Sequence, residues 1–387
     1  MTYLHRCFPG KCASLALVVA ALLTPLPGRA SAATACPQSA QVCSHLQSGL
    51  ADLSRYGVLG AVLAIDTPGR RAITITSGYS NAGQTAPMEV SRAFQVGSQS
   101  KMFTAAAILL LAKDGRLTLD DPVARFIPEA SDTEGVTIRH LLTHTSGVGD
   151  GIDLFDSISE RPRGHYRFDD LLLLSRTYGR QFAPGAQWKY NNTGYDMLGR
   201  IIEVASGQSR SVFLRRRVLV PLGMHETFIG SEEDWSGVSV ASGYVWSEKS
   251  ERVIDMTRPA DLTWAAAAGD MVSNAADMLK WMSSLVAERS PVSLSLADFT
   301  ATAVPTGLQD SLVEYGNGLG GFSIAGRRVW GHGGFIHGYI SFSAVDPTTH
   351  KQVVLLASLA GQKSTEYAAL KGAMLTLVAT SFETSSR

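Results

Sequence analysis

The sequence predicts an α+β protein: an antiparallel sheet flanked by helices and built from two separated stretches of chain, with an all-helical domain inserted between them. Three observations carry that expectation. Strand patterns occur near both ends, over about residues 58–96 and 318–358; helical spacing dominates between about 116 and 300; and no internal repeat, low-complexity tract or long linker interrupts the chain. The expected boundaries are 33–115 with 305–387 for the sheet domain and 116–304 for the helical domain, after a signal peptide over 1–32. At 387 residues, 45% hydrophobic and 18% charged, the chain has the length and apolar content for a large core, which excludes disorder.

The N-terminus reads as a leader. Arg6 and Lys11 precede an apolar run from Ala13 to Leu23, and Ala30-Ser31-Ala32 has the small-residue form of a cleavage site. The run is too short, and too soon broken by Pro25 and Pro27, to span a membrane. Export to the periplasm or medium is therefore expected. Formal net charge is zero, and removal of 1–32 leaves 31 basic and 34 acidic residues, a net of −3, which argues against a broad basic face for nucleic acid. Four cysteines are too few for a disulfide miniprotein. Cys7 and Cys12 leave with the leader, and an oxidising compartment allows Cys36 and Cys43 to pair. A helix starting at Pro37 would hold their Cα atoms about 10 Å apart, beyond the roughly 7 Å a disulfide tolerates, so the bond requires an irregular segment there. Ala33-Thr34-Ala35 lacks the bulky apolar residue of a lipoprotein signal before Cys36.

The elements follow in order. Val58–Asp66 reads as a buried strand, residues 67–70 as a turn, 71–76 as its return and Phe94–Val96 as a short strand. A helix runs from Ser98 to Lys113, stopped by Gly115. Residues 168–178, 193–205, 209–220 and 274–286 show helical spacing. Strands return over 318–324, 327–330, 338–345 and 352–358, and 364–382 closes as a helix. A pocket is expected where the two domains meet.

Three short patterns carry chemistry. Ser98-Gln99-Ser100-Lys101 is the single Ser-x-x-Lys of the chain, at a helix start where backbone N–H groups point outward. A serine hydroxyl is a weak nucleophile until a neighbour takes its proton; Lys101, on the same helical face and with a pKa lowered in a partly dry site, is placed to do so. Tyr-x-Asn occurs at Tyr79, Tyr190 and Tyr315; context selects Tyr190-Asn191-Asn192, which follows a Pro184-Gly185 turn and precedes a helix, and leaves Tyr79 and Tyr315 as strand packing. Gly331-His332-Gly333-Gly334-Phe335 offers a glycine-rich strand edge along which a substrate backbone can lie.

In that order, Ser98-x-x-Lys101, Tyr190-x-Asn192 and His332-x-Gly334 resemble the penicillin-recognising serine hydrolases, nearest the branch of class C β-lactamases, serine D-alanyl-D-alanine carboxypeptidases, D-aminopeptidases and related esterases. Flanking segments resemble it too: Phe94-Gln95-Val96-Gly97-Ser98, the run from His140 to Gly147, Pro184-Gly185 and Trp330 to Gly334. The resemblance covers about residues 50–380. It implies a β-lactamase/transpeptidase-like fold with Ser98 as nucleophile, Lys101 assisting its deprotonation and Tyr190 as base or proton shuttle. Asn192 would bind the substrate amide, and His332 would polarise Tyr190. Gly333, Gly334 and Phe335 would line the substrate, with the backbone N–H groups of Ser98 and Phe335 as oxyanion hole. Which of Lys101 and Tyr190 takes the first proton stays open. No metal or organic cofactor is implied.

Two positions depart from the family pattern. Gly333 stands where a hydroxyl residue is common, and Gly318 to Phe322 lacks the arginine that some carboxypeptidases use for the substrate carboxylate; Arg327 and Arg328 follow the turn. Both weaken specificity for a free carboxylate.

Rival readings are weaker. His140 and His144 have the spacing of a zinc-binding helix pair, but Leu141 follows where a glutamate is needed and no third ligand is evident. No serine has glycine at both −2 and +2, which excludes the nucleophile elbow of α/β-hydrolases, and the Ser-Asp-Asn and Lys-Thr-Gly triplets of class A β-lactamases are absent. A non-catalytic penicillin-binding module would be free to lose any of the three patterns, and all three are here. Arg215-Arg216-Arg217 reads as a solvated helix face rather than an anion site. The expected protein is an exported serine hydrolase working through an acyl-enzyme, a D-alanyl-D-alanine carboxypeptidase or related D-peptidase. Carboxylesterase and class C-like β-lactamase activity are the alternatives, and specificity is expected in loops such as 149–168. Its partner is a small-molecule or peptide substrate: a peptidoglycan-type peptide, an ester or a β-lactam.

Overall fold

A computed structural model describes residues 40–151, 164–248, 250–259, 261–361 and 366–383. The expected leader, Cys36 and most of the 149–168 loop lie outside the described residues; Cys43 is disulfide-bonded.

The strands, in chain order, are β1 (Val58–Asp66), β2 (Ile73–Gly78), β3 (Phe94–Gln95), β4 (Phe228–Ile229), β5 (Tyr244–Ser247), β6 (Arg252–Asp255) and β7 (Met271–Ser273). They continue with β8 (Val304–Pro305), β9 (Leu312–Tyr315), β10 (Gly320–Ile324), β11 (Arg327–Ile336), β12 (Tyr339–Val345) and β13 (Gln352–Leu359). Eight of them form one antiparallel sheet in the order β2-β1-β13-β12-β11-β10-β9-β8, so strands from the two ends of the chain meet where β1 pairs with β13.

The central strands are apolar on both faces because both faces are covered. Ala61, Leu63 and Ile65 of β1 pack with Leu46 and Leu50 of the Ala40–Asp52 helix and with Leu370, Leu377 and Val378 of the Tyr367–Glu383 helix. The alternate residues Val62 and Ala64 join the larger core on the opposite face, which holds the Ser100–Lys113 and Ala275–Val286 helices. The Ser100–Lys113 helix is buried on almost every side, as its uniformly apolar sequence requires.

The segment between the two sheet-forming stretches is not purely helical. β4 and β7 join β3 in a three-stranded sheet of order β3-β7-β4, and β5 with β6 makes a hairpin. Strands this short show no readable period; β7 forms because Phe94–Gln95 offers it an edge to pair with, and β4 pairs with β7 in turn. Nor does the strand expected to end at Trp330 stop there: β11 runs on through Gly331-His332-Gly333-Gly334 to Ile336, because pairing with β12 outweighs the low strand preference of glycine.

The added length of β11 outruns its neighbour on the other side. β10 pairs with β11 only as far as Gly331, after the tight turn at Gly316–Leu319 ends its reach. Among the described residues, no strand pairs with β11 on that side over residues 332–336.

Candidate active site

Ser98 sits in a 3-10 turn, Gly97–Gln99, that feeds directly into the Ser100–Lys113 helix. Ser100 closes this turn: its hydroxyl donates to the Gly97 carbonyl at 2.7 Å and accepts from the Met271 N–H at 3.0 Å. The turn packs against β11 through two residues that lack side chains. Gly97 has φ +55°, and a Cβ there would lie 2.8 Å from the Phe335 carbonyl oxygen; a Cβ on Gly334 would lie 2.0 Å from the Val96 carbonyl oxygen. Only glycine permits that approach, and it brings the Ser98 turn beside the Phe335 peptide, the two donors expected of the oxyanion hole.

Lys101 is fully buried in the first turn of the helix. Its Nζ donates to Asn192 Oδ1 at 2.8 Å and to the Ala268 carbonyl at 2.8 Å, and stands 3.2 Å from Ser98 Oγ. It also lies 4.8 Å from the Tyr190 ring centroid. With two N–H groups spent on oxygen acceptors, the nitrogen's third position faces the serine: an N–H if the amine is protonated, a lone pair if it is not.

Tyr190 and Asn192 are held by the stretch from His144 to Asp150. The Lys189 N–H donates to the His144 carbonyl (3.0 Å), the Asn191 N–H to His144 Nδ1 (3.1 Å) and Asn191 Nδ2 to the Val148 carbonyl (2.8 Å). Asp150 then accepts from the Asn192 N–H at 2.7 Å, from Asn192 Nδ2 at 3.2 Å and from Thr193. So Asp150 fixes the Asn192 amide, whose oxygen fixes Lys101. One Asn192 amide hydrogen and one lone pair remain for a substrate. His144, buried and with φ +59°, packs at a tilt against the rings of Tyr190 (4.4 Å) and Tyr315 (4.5 Å). Burial, then the Lys101 charge, hold its pKa well below the usual histidine value. His140 Nδ1 instead accepts from the Thr137 N–H and caps its own helix, so the two histidines serve different structural tasks.

His332 lies mid-strand in β11 and is buried. Its Nδ1 meets the Gly333 carbonyl and its Nε2 the Tyr315 hydroxyl at 2.8 Å. With Nδ1 as the N–H, Nε2 accepts from Tyr315. Both ring nitrogens thus have partners, and neither is Tyr190, whose ring centroid is 6.2 Å away. Burial and then the Lys101 charge lower the His332 pKa to about 3.

Tyr315 is therefore more than strand packing. It sits at the end of β9, 1% exposed, and lines the same cavity as Ser98, Tyr190, Asn192 and His332. Tyr79 is not among the cavity-lining residues and bridges Pro87. Repetition of the Tyr-x-Asn pattern was a usable signal for Tyr315; Asp150 and Trp188, which also belong to this region, left none.

The cavity measures about 750 Å³ and is lined mostly by apolar side chains, with Gly333, Gly334 and Phe335 along one wall. Its cationic lining residues are Lys189 and Lys371, the latter 3.6 Å from Asp310. Arg327 and Arg328 do not reach it: they pair with Asp346 at 3.5 Å and Glu314 at 2.7 Å. Arg215 and Arg217 pair with Glu233 and Asp114, as a solvated face predicts.

The family model described as Beta-lactamase matches residues 33–374. The chain belongs to the beta-lactamase family. Like this family member, a D-amino acid amidase from Ochrobactrum anthropi SV3, solved with D-phenylalanine, has the fold: TM-score 0.78 and 28% identity over 88% of this chain and 99% of that one. A D-stereospecific amidohydrolase from Streptomyces sp. gives 0.71 and 25% over 84% and 97%. Penicillin-binding protein 4* of Bacillus subtilis (strain 168) is 38% identical over 151 residues, 39% of this beta-lactamase family chain; the match spans a third of that relative's length. Among the described residues, no helix of this family member is long and apolar enough to cross a membrane.

Proposed function

We propose that this protein is an exported serine hydrolase of the D-peptidase type, acting through an acyl-enzyme on Ser98 and preferring amides or esters of D-amino-acid-like substrates to free carboxylates. The observation that carries the reading is the position of Lys101 Nζ, bonded to Asn192 and Ala268 and facing Ser98 Oγ. In the fraction of molecules in which its amine has given up its proton, Lys101 takes the Ser98 proton while Ser98 Oγ bonds to the substrate carbonyl carbon. The N–H groups of Ser98 and Phe335 receive the oxyanion charge. The C–N or C–O bond to the leaving group then breaks, and the proton passes to that group by way of Lys101 and Tyr190. Water, deprotonated along the same route, attacks the acyl ester and releases the acid and the serine hydroxyl.

Two observations favour amides or esters. Gly333 supplies no hydroxyl, and Arg327 and Arg328 are held in ion pairs outside the cavity. An unpaired carboxylate entering this apolar space costs at least a few kcal/mol. The D-specific amidase and amidohydrolase among the structural relatives support the D-configuration.

Intact-mass spectrometry after a fluorophosphonate or a β-lactam should show a single adduct on the peptide holding Ser98 and none in Ser98→Ala. An adduct that persists in Ser98→Ala removes the reading. For specificity, kcat/KM is compared for a D-alanyl-D-alanine peptide, its C-terminal amide and its methyl ester, in the wild type and in Lys189→Ala. A free acid preferred by about tenfold, or ~1.4 kcal/mol, makes the protein a carboxypeptidase, and loss of that preference in Lys189→Ala identifies the partner of the carboxylate.

A further inference from the structure

The cavity does not end at the catalytic face of the sheet. Side chains alternate along β11: His332 and Gly334 face the Ser98 side, whereas Gly333 and Phe335 face the side covered by the Tyr367–Glu383 helix, where Phe335 meets the Tyr367 ring at 4.8 Å. On that far side the same cavity is walled by Leu308, Leu312, Phe322, Phe342, Met374 and Leu375. The two faces connect around the edge of β11 that β10 leaves bare. Gly333 keeps the passage open: a Cβ there would meet nothing closer than the Phe342 ring at 3.7 Å, so the space beneath it is unfilled.

Two side chains mark this groove as a site rather than a packing gap. Leu308 is 43% exposed and Phe335 41% exposed, and both line this one cavity. Exposed apolar side chains on the walls of one cavity are a signature of a ligand surface. The two charged side chains on this part of the wall, Lys371 and Asp310, lie 3.6 Å apart and pair with each other.

We infer that the substrate carries a linear aliphatic chain, and that this chain leaves the reacting carbonyl, passes the bare edge of β11 at Gly333 and lies in the apolar groove under the Tyr367–Glu383 helix. The inference rests on the hydrolase reading above and deepens it. The chain belongs either to the acyl group or to the leaving alcohol or amine, and the two are separated by experiment.

The full-length protein is assayed with p-nitrophenyl acetate, butyrate, octanoate and dodecanoate, and with acetate esters of alcohols of the same lengths. Each buried methylene is worth about fourfold in kcat/KM, so burial of only three of the six added methylenes should raise one of the two series about sixtyfold from its shortest member to the eight-carbon one. Leu375→Trp, which fills the groove, should cut the octanoyl or octyl ester about tenfold or more while leaving the shortest ester within about twofold. Leu308→Asp, at an exposed position, should act in the same direction without a folding cost. Flat or falling profiles in both series overturn the proposal, as does an equal loss on short and long esters in both variants. Binding to Ser98→Ala, measured by calorimetry with N-acetyl-D-alanine methyl ester, N-octanoyl-D-alanine methyl ester and N-acetyl-D-alanine octyl ester, needs no turnover: equal affinities of all three overturn the groove even where Ser98 is the nucleophile, and a tighter complex with either long-chain ligand supports it even where Ser98 is not. A wild type that is dimeric, a Leu308→Asp that is monomeric and a flat chain-length profile would make the groove an interface between two copies instead.

Discussion

Tyr190 and Tyr315 share a sequence pattern and a cavity, yet their surroundings assign them different work. Tyr190 stands beside the Lys101 ammonium position, whereas Tyr315 spends its hydroxyl on His332 Nε2. Tyr190→Phe should lower kcat/KM by ~10²–10⁴-fold, the range of a positioned acid–base group, with unchanged thermal stability. Tyr315→Phe leaves a buried imidazole nitrogen without its donor, which costs about 1–3 kcal/mol, and should lower stability with a smaller loss of turnover. Denaturant melts and steady-state rates on both variants read the difference; a larger turnover loss at Tyr315 would exchange the two roles. Ser98, Lys101, Tyr190, Asn192 and His332 were legible as candidates because each sits in a short pattern with a distinct flank. Asp150 was not, because its importance comes from contacts with Asn192 and Thr193, 42 and 43 residues away, and distance in sequence erases such a signal.

At the scale of elements, one wall of the site depends on a buried ion pair. The stretch from Trp264 to Gly269 lines the cavity and supplies the Ala268 carbonyl to Lys101. It is anchored at Asp270, whose carboxylate is gripped by the Arg210 guanidinium and by the Ser231 hydroxyl, with Glu232 on the other side of Arg210 at 2.9 Å. Burial opposes the Arg210 charge, but the carboxylates of Asp270 and Glu232 outweigh it and raise the pKa above its usual value. Arg210→Met strands two acids in or near the core and should cost about 3–5 kcal/mol; urea titration checks this. Activity in the fraction that stays folded should also fall, because the Ala268 carbonyl loses its support. Most strands and long helices were readable from period and from glycine and proline punctuation. Phe94–Val96 reads as a short strand, and β3 lies there; the pieces that escaped, β4 and β7 and the last half of β11, exist because a neighbour offers an edge, and pairing partners are not written in local pattern.

The whole molecule should be less stable in acid, through histidines it buries without charge. Burial lowers His337 to about 4, and burial with the Lys101 charge lowers His332 to about 3. In the unfolded chain both titrate near 6.5. The native state therefore binds fewer protons below that pH, so the stabilisation is complete above about 6.5 and is lost as pH falls toward the native values. His337 packs against Trp264 at 5.3 Å, and its window runs from about 6.5 down to about 4. His337→Phe keeps the stacked ring and removes the titration. Between neutral pH and the lower end of that window it should lose about 3 kcal/mol less than the wild type, as measured by urea midpoints at each pH. Equal losses would mean that His337 takes up its proton in the native state as readily as in the unfolded one.

The nucleophile turn meets β11 main chain to main chain at two glycines, Gly97 on Phe335 and Gly334 on Val96. It acts as a mechanical stop. At those two glycines the spacing between Ser98 and the Phe335 peptide is set by the thickness of two main chains, with no glycine side chain to change rotamer. Mutational drift in the cavity walls can then retune which molecules are admitted while the distance on which bond cleavage depends stays constant, so selectivity and reactivity in this protein are free to evolve on separate clocks.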